Sequence, residues 1–128
     1  MPRILLVGID PDQVDFADPA LPPGMTAEMI RRGVQVSVDG LAAAGHAVDQ
    51  LFIPAAKEDA IAVLSARLAE GRHDMVIIGG GVIIPPSNRL LFEAMLNVIV
   101  QQSPAPAVGL IARPEDAPTA AARVLGAG

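Results

Sequence analysis

Asp74-Met-Val-Ile-Ile-Gly-Gly-Gly-Val-Ile-Ile-Pro-Pro-Ser-Asn-Arg-Leu-Leu-Phe92 is the stretch on which the fold turns. Its apolar run, Met75 to Ile78, ends in three glycines, passes the Pro85-Pro86 pair and enters a long helical pattern. That order reads as buried strand, glycine turn and crossover helix, the middle of a parallel α/β sheet. In such sheets ligands bind beyond the carboxyl ends of the strands, where the strand order reverses. The loop from Gly79 to Arg89 is therefore expected to border whatever site exists.

Working outward, Ile4 to Val7 is a short aliphatic run between Arg3 and Gly8, a buried strand of the same kind. From Ile9 to Met25 comes a long connection with four prolines (Pro11, Pro19, Pro22, Pro23), four aspartates (Asp10, Asp12, Asp15, Asp18) and the apolar Val14, Phe16 and Leu21. Connections of this length are functional or disordered, and the apolar residues predict that this one folds back. Thr26 caps a helix over Ala27 to Ala44, with Ile30, Val34, Val38 and Leu41 inward, and Gly45 ends it. Val48 to Ile53 reads as an edge strand that tolerates Asp49 and Gln50, closed by Pro54. Lys57 to Glu70 is an alanine-rich helix stopped by Gly71.

Beyond the central stretch, Ser87 or Asn88 caps a third helix over Arg89 to Gln102. Arg89, Glu93, Asn97 and Gln101 form a narrow polar stripe on it, and the remainder is apolar. A helix apolar around most of its circumference must be covered on more than one side, which predicts a homo-oligomer packed on residues 89–102. Ala107 to Ala112 is a fourth strand, and Asp116 or Thr119 starts a final helix ending near Gly126. Four alternations of strand and helix give one α/β domain over residues 1–128. The expected layout is three-layer αβα, flavodoxin-like or Rossmann-like, around a four-stranded parallel sheet of order 2-1-3-4.

Composition narrows the partners. The 128 residues carry a formal charge of -5, and Lys57 is the single lysine. No basic face is available to neutralise the phosphates of a nucleic acid or to hold an anionic membrane surface. Three phenylalanines are the only aromatic residues, so base-stacking platforms are scarce. The absence of cysteine excludes disulfides, thiol nucleophiles and thiolate metal sites and fits a cytoplasmic protein. No secretory leader is expected, because the first apolar run is too short and wrongly flanked.

Strand direction then sorts the polar residues. His46 and His73 precede strands, on the edge away from a site in this architecture, and read as surface histidines near helix ends. The carboxyl edge collects Asp10, Asp12, Asp15 and Asp18, the glycines Gly79, Gly80 and Gly81, then Ser87, Asn88, Arg89, Arg113 and Glu115. Amides of the glycine turn, together with Ser87 and Arg89, suit the anionic end of a small ligand, and Asp10 suits a hydroxyl or amine. Equally, the glycines need do no more than permit a tight turn, and each arginine has a local acid to pair with, Glu93 for Arg89 and Glu115 for Arg113.

The expectation is thus a small polar or anionic metabolite between residues 10–24 and 79–89, with no resident cofactor or metal and no catalytic residue assigned. Asp10-x-Asp12 after an aliphatic strand resembles the opening motif of haloacid dehalogenase-type phosphatases. It supports an alternative, a metal-dependent hydrolase using Asp10 and Asp12. The resemblance covers about ten residues and then stops, since no lysine stands near a later strand end and no acidic pair follows the fourth strand. The simpler reading is that these aspartates cap turns beside prolines. A third reading makes the chain a non-catalytic oligomeric or regulatory module. Two further stretches, Gly8-Ile9-Asp10-Pro11 with Asp18-Pro-Ala-Leu-Pro-Pro-Gly-Met-Thr-Ala-Glu28, and Leu90 to Ile99, resemble segments of small uncharacterised bacterial single-domain α/β proteins. That resemblance brings no activity with it.

Overall fold

A computed structural model describes residues 1–126, so the domain expected over residues 1–128 has its last two residues outside that range. Four strands, β1 (Arg3–Ile9), β2 (Ala47–Ile53), β3 (Met75–Ile78) and β4 (Ala107–Leu110), pair in parallel in the order β2-β1-β3-β4. The helices are α1 (Ala27–Ala43), α2 (Lys57–Glu70), the single turn α3 (Gly80–Ile83), α4 (Arg89–Val100) and α5 (Ala117–Leu125). The architecture is the three-layer α/β arrangement read from the sequence.

Each face of the sheet has its own core. On one, Leu5, Val7, Val76 and Ile78 pack with Leu64 and Leu68 of α2 and with Leu91, Met95 and Ile99 of α4. On the other, Ile4, Leu6, Met75 and Ile77 pack with Leu41 of α1 and with Ala117, Ala120 and Ala121 of α5. Burial on both faces is why β1 and β3 are continuous aliphatic runs rather than alternating ones. Among the described residues no helix is long and apolar enough to cross a membrane.

Two glycines inside α1 have a packing cause. A Cβ on Gly33 would lie 2.7 Å from Cγ of Pro114, and one on Gly40 would lie 3.0 Å from Cγ of Pro118. Between them Ser37 is buried and its hydroxyl donates to the Pro114 carbonyl at 2.8 Å. Glycine weakens a helix by about 1 kcal/mol relative to alanine. Here it lets α1 approach Pro114, just before α5, and Pro118 in the first turn of α5.

Three local expectations are corrected. The glycine turn after β3 is itself a turn of helix, α3, because the Ile84 amide donates back to the Gly80 carbonyl at 2.9 Å. The helix expected over Arg89 to Gln102 ends at Val100. His73, expected on the surface, is buried, with its side chain 1% exposed, because Asp49 on β2 faces it. The broad apolar circumference of α4 is covered in part within the chain, where the half-buried Phe92, Leu96 and Val98 pack against the same core as Ile61 and Val63 of α2 and Ile83 of α3. Leu90 and Val100 are its exposed large apolar residues.

Candidate functional site

The strand order reverses between β1 and β3, and a crevice opens there at the carboxyl edge. Its floor follows from the register. Gly8 stands beside Phe52, and the ladder continues past the assigned strand ends, with the Gly79 amide donating to the Val7 carbonyl at 3.0 Å and the Ile111 amide to the Ile78 carbonyl at 3.2 Å. Continuing each register by one residue aligns Phe52, Gly8, Gly79 and Ile111 in one row across all four strands. All four line a cavity of about 210 Å³.

The two middle members of that row have no side chain. On the same face of β1 the preceding positions are Ile4 and Leu6, both buried in the core shared with α1 and α5. Gly8 has ordinary negative-φ strand geometry, and a Cβ built on it meets nothing within 4 Å. A Cβ on Gly79 would make one ordinary contact, with the Val7 carbonyl at 3.6 Å. Neither backbone conformation nor crowding requires glycine at these two positions. What their glycines produce is the space itself.

The roof comes from α1 and from the fold-back of the proline-rich connection, through Ile30, Val34, Leu21, Pro22 and Met25. Three polar side chains reach the lining: Ser37 inside, and Gln50 and Arg113 at the exposed rim. Gln50 makes no side-chain hydrogen bond among the described residues. Arg113 is held by loose ion pairs only, 3.7 Å from Glu115 and 3.6 Å from Asp116, at high exposure where such pairs contribute little. Among the described residues no carboxylate lines the cavity.

The candidate residues read from the sequence divide into two groups. Gly79, Gly80 and Gly81 line the crevice. Asp10, Ser87 and Arg89 are outside its lining. The Asp10 carboxylate accepts the Asp12 amide at 2.9 Å, closing a local turn at the start of the 3₁₀ segment Pro11–Gln13. Ser87 donates to the Asp18 carboxylate at 3.1 Å, which ties the two loops together beside the crevice. Arg89 lines a neighbouring hollow with Val82, Ile84 and Phe92.

The remaining aspartates of the first loop are engaged locally as well. Asp15 and Asp18 accept the amides two residues ahead, at 3.0 and 2.9 Å, and Asp12 pairs with Arg31 at 2.7 Å. These are the turn-capping roles that aspartate takes beside proline. Among the described residues no group of three or more acidic, histidine or cysteine side chains is arranged to hold a metal ion.

At the opposite edge of the sheet, sequence reasoning missed a polar cluster. Asp49 accepts from His73 Nε2 at 2.8 Å and from Arg3 Nε at 2.7 Å, with an Arg67 nitrogen 3.6 Å away. Desolvation pushes its carboxyl up, but the hydrogen bonds from His73 and Arg3 and their charge outweigh this and hold it below the ordinary value. The second ring nitrogen of His73 is buried without a partner. The signal available in the sequence was an aspartate within a strand whose other residues, Gln50 apart, are apolar.

Comparison with protein families, with curated proteins and with solved structures finds no match to this chain.

Proposed function

We propose that the chain binds a small molecule, largely apolar with one polar or anionic end, in the crevice between residues 10–24 and 79–89. The single observation that carries this reading is the cavity at the reversal point of the strand order, floored by two glycines that nothing else in the backbone requires. Small-molecule sites in folds of this type are mainly apolar and fixed by a few polar groups, which Ser37, Gln50 and Arg113 supply. The lining moves the expected chemistry away from a fully polar metabolite. Asp10, Ser87 and Arg89 shape and tie the loops in this reading, and Arg113 receives the anionic end.

A thermal-shift screen of apolar monocarboxylates and monophosphates against the protein and its Gly8→Val variant tests this. A compound at about a hundred times its dissociation constant stabilises by roughly 2.7 kcal/mol, several degrees in a domain of this size. Hits on the wild-type protein that vanish in the variant are expected. A flat screen, or hits unaffected by Gly8→Val, would remove the proposal.

A second reading, a homo-oligomer packed on α4, is favoured by Leu90 and Val100, which are 63% and 59% exposed. Sedimentation equilibrium decides it. A monomer at micromolar concentration, or a dimer indifferent to Leu90→Glu, would end that reading.

A further inference from the structure

We infer that the occupant of the crevice presents a flat ring system, aromatic or heteroaromatic and about two fused rings wide, laid against the exposed backbone of Gly8 and Gly79. This rests on the crevice being the ligand site and adds the class of ligand.

The argument is one of shape. Phe52 on β2 and Ile111 after β4 stand three strand spacings apart in the same row, roughly 14 Å between Cα atoms. The two positions between them, on adjacent central strands, offer bare peptide planes. Two side chains facing each other across a floor that carries none make a trough with a flat base. A branched or globular apolar group leaves such a base partly uncovered. A planar ring system covers it and meets the Phe52 and Ile111 side chains with its edges. Above, α1 closes the space with Ile30 and Val34, so the ring lies between the flat glycine backbone on one face and aliphatic side chains on the other. The Gln50 carboxamide belongs to the row below, paired in register with Leu6, and stands at the rim. It offers an NH2 donor group and a carbonyl acceptor to a ring edge. Arg113, at the rim on the β4 side, suits a carboxylate or phosphate substituent on the same ring.

Gly8 then sets which ligands enter. A Cβ there projects into open space within the crevice rather than into packed neighbours, so a small side chain narrows the trough at its floor.

The test uses two molecules with the same carbon skeleton and charge that differ in flatness: 2-naphthoate and its saturated analogue decahydro-2-naphthoate. Titration calorimetry is expected to give at least tenfold tighter binding of 2-naphthoate to the wild-type protein, weaker binding in Gly8→Ala and none measurable in Gly8→Val. Unchanged melting temperatures and circular dichroism of the two variants would exclude a folding defect, and Gly8→Ala stands in if Gly8→Val is unstable. Equal affinities for the two carboxylates, both lost in Gly8→Val, would overturn the planar-ring inference while leaving the crevice as the site. No binding of either, or binding indifferent to both Gly8 variants, would overturn the inference and the site together.

Discussion

The two ends of one sheet differ in how they use polar groups. At the amino edge, Asp49 gathers Arg3, Arg67 and His73 into a cluster with a buried imidazole at its centre. At the carboxyl edge, four aspartates are close in sequence, yet each is engaged in its own turn or in an exposed ion pair. There the middle of the sheet ends in glycines and a cavity. The amino edge ties the strands together, and the carboxyl edge leaves room. The difference teaches that the density of charged residues in the sequence points toward the wrong structural feature. The acidic run from Asp10 to Asp18 makes turns, and the space lies over Gly8 and Gly79.

The largest effect is expected from removing the amino-edge hub. Asp49→Ala leaves a buried histidine with no partner for either ring nitrogen and should cost about 2–3 kcal/mol. Urea denaturation reads this directly, and a loss below 0.5 kcal/mol would mean that the cluster is ornamental. Binding at the crevice should be unchanged.

The same cluster predicts a pH dependence. Because Asp49 titrates below its ordinary value of 3.8 in the folded chain, its contribution is fully present above that value. It is lost as pH falls through the lower folded value. Wild-type protein should therefore lose its stability advantage over Asp49→Asn on acidification below about pH 4. Parallel denaturation curves from pH 7 to pH 3, with a constant gap between the two proteins, would contradict the assignment.

Gly8→Val probes the other edge and should change stability by less than about 1 kcal/mol, because a valine suits a strand and its Cβ meets nothing. A large destabilisation would show that the glycine has a structural cause after all. The smallest effect is expected at the acidic run. Asp12 and Arg31 are 69% and 46% exposed, so Asp12→Asn should shift stability by no more than about 0.5 kcal/mol. A larger loss in the same denaturation assay would place the first loop among the stabilising elements.

The sheet order and the helix faces were legible because period and punctuation settle them. Aliphatic runs of four to seven residues, glycine stops after Ala44 and Glu70, and the Thr26 cap, which accepts the Met29 amide at 3.2 Å, are local signals. The general position of the crevice was legible for the same reason, since the reversal point follows from strand order. Its walls were not. Phe52 and Ile111 come from strands whose register is fixed only in three dimensions, and Gly8 reads in sequence as a strand terminator. The approach of Gly33 to Pro114, and the pairing of Asp49 with His73, join residues far apart in sequence, and no local pattern announces them. Asp10, Ser87 and Arg89 lie at the carboxyl edge, but their side chains face the turns, the partner loop and a neighbouring hollow.

The most direct measurement is an amide ¹H–¹⁵N correlation spectrum of the labelled protein titrated with 2-naphthoate. The account predicts shifts concentrated on Gly8, Phe52, Gly79, Gly80, Gly81 and Ile111. Shifts centred instead on Gly71 to Asp74 at the amino edge, or on Arg89 and Phe92, or no shifts at millimolar ligand, would contradict it.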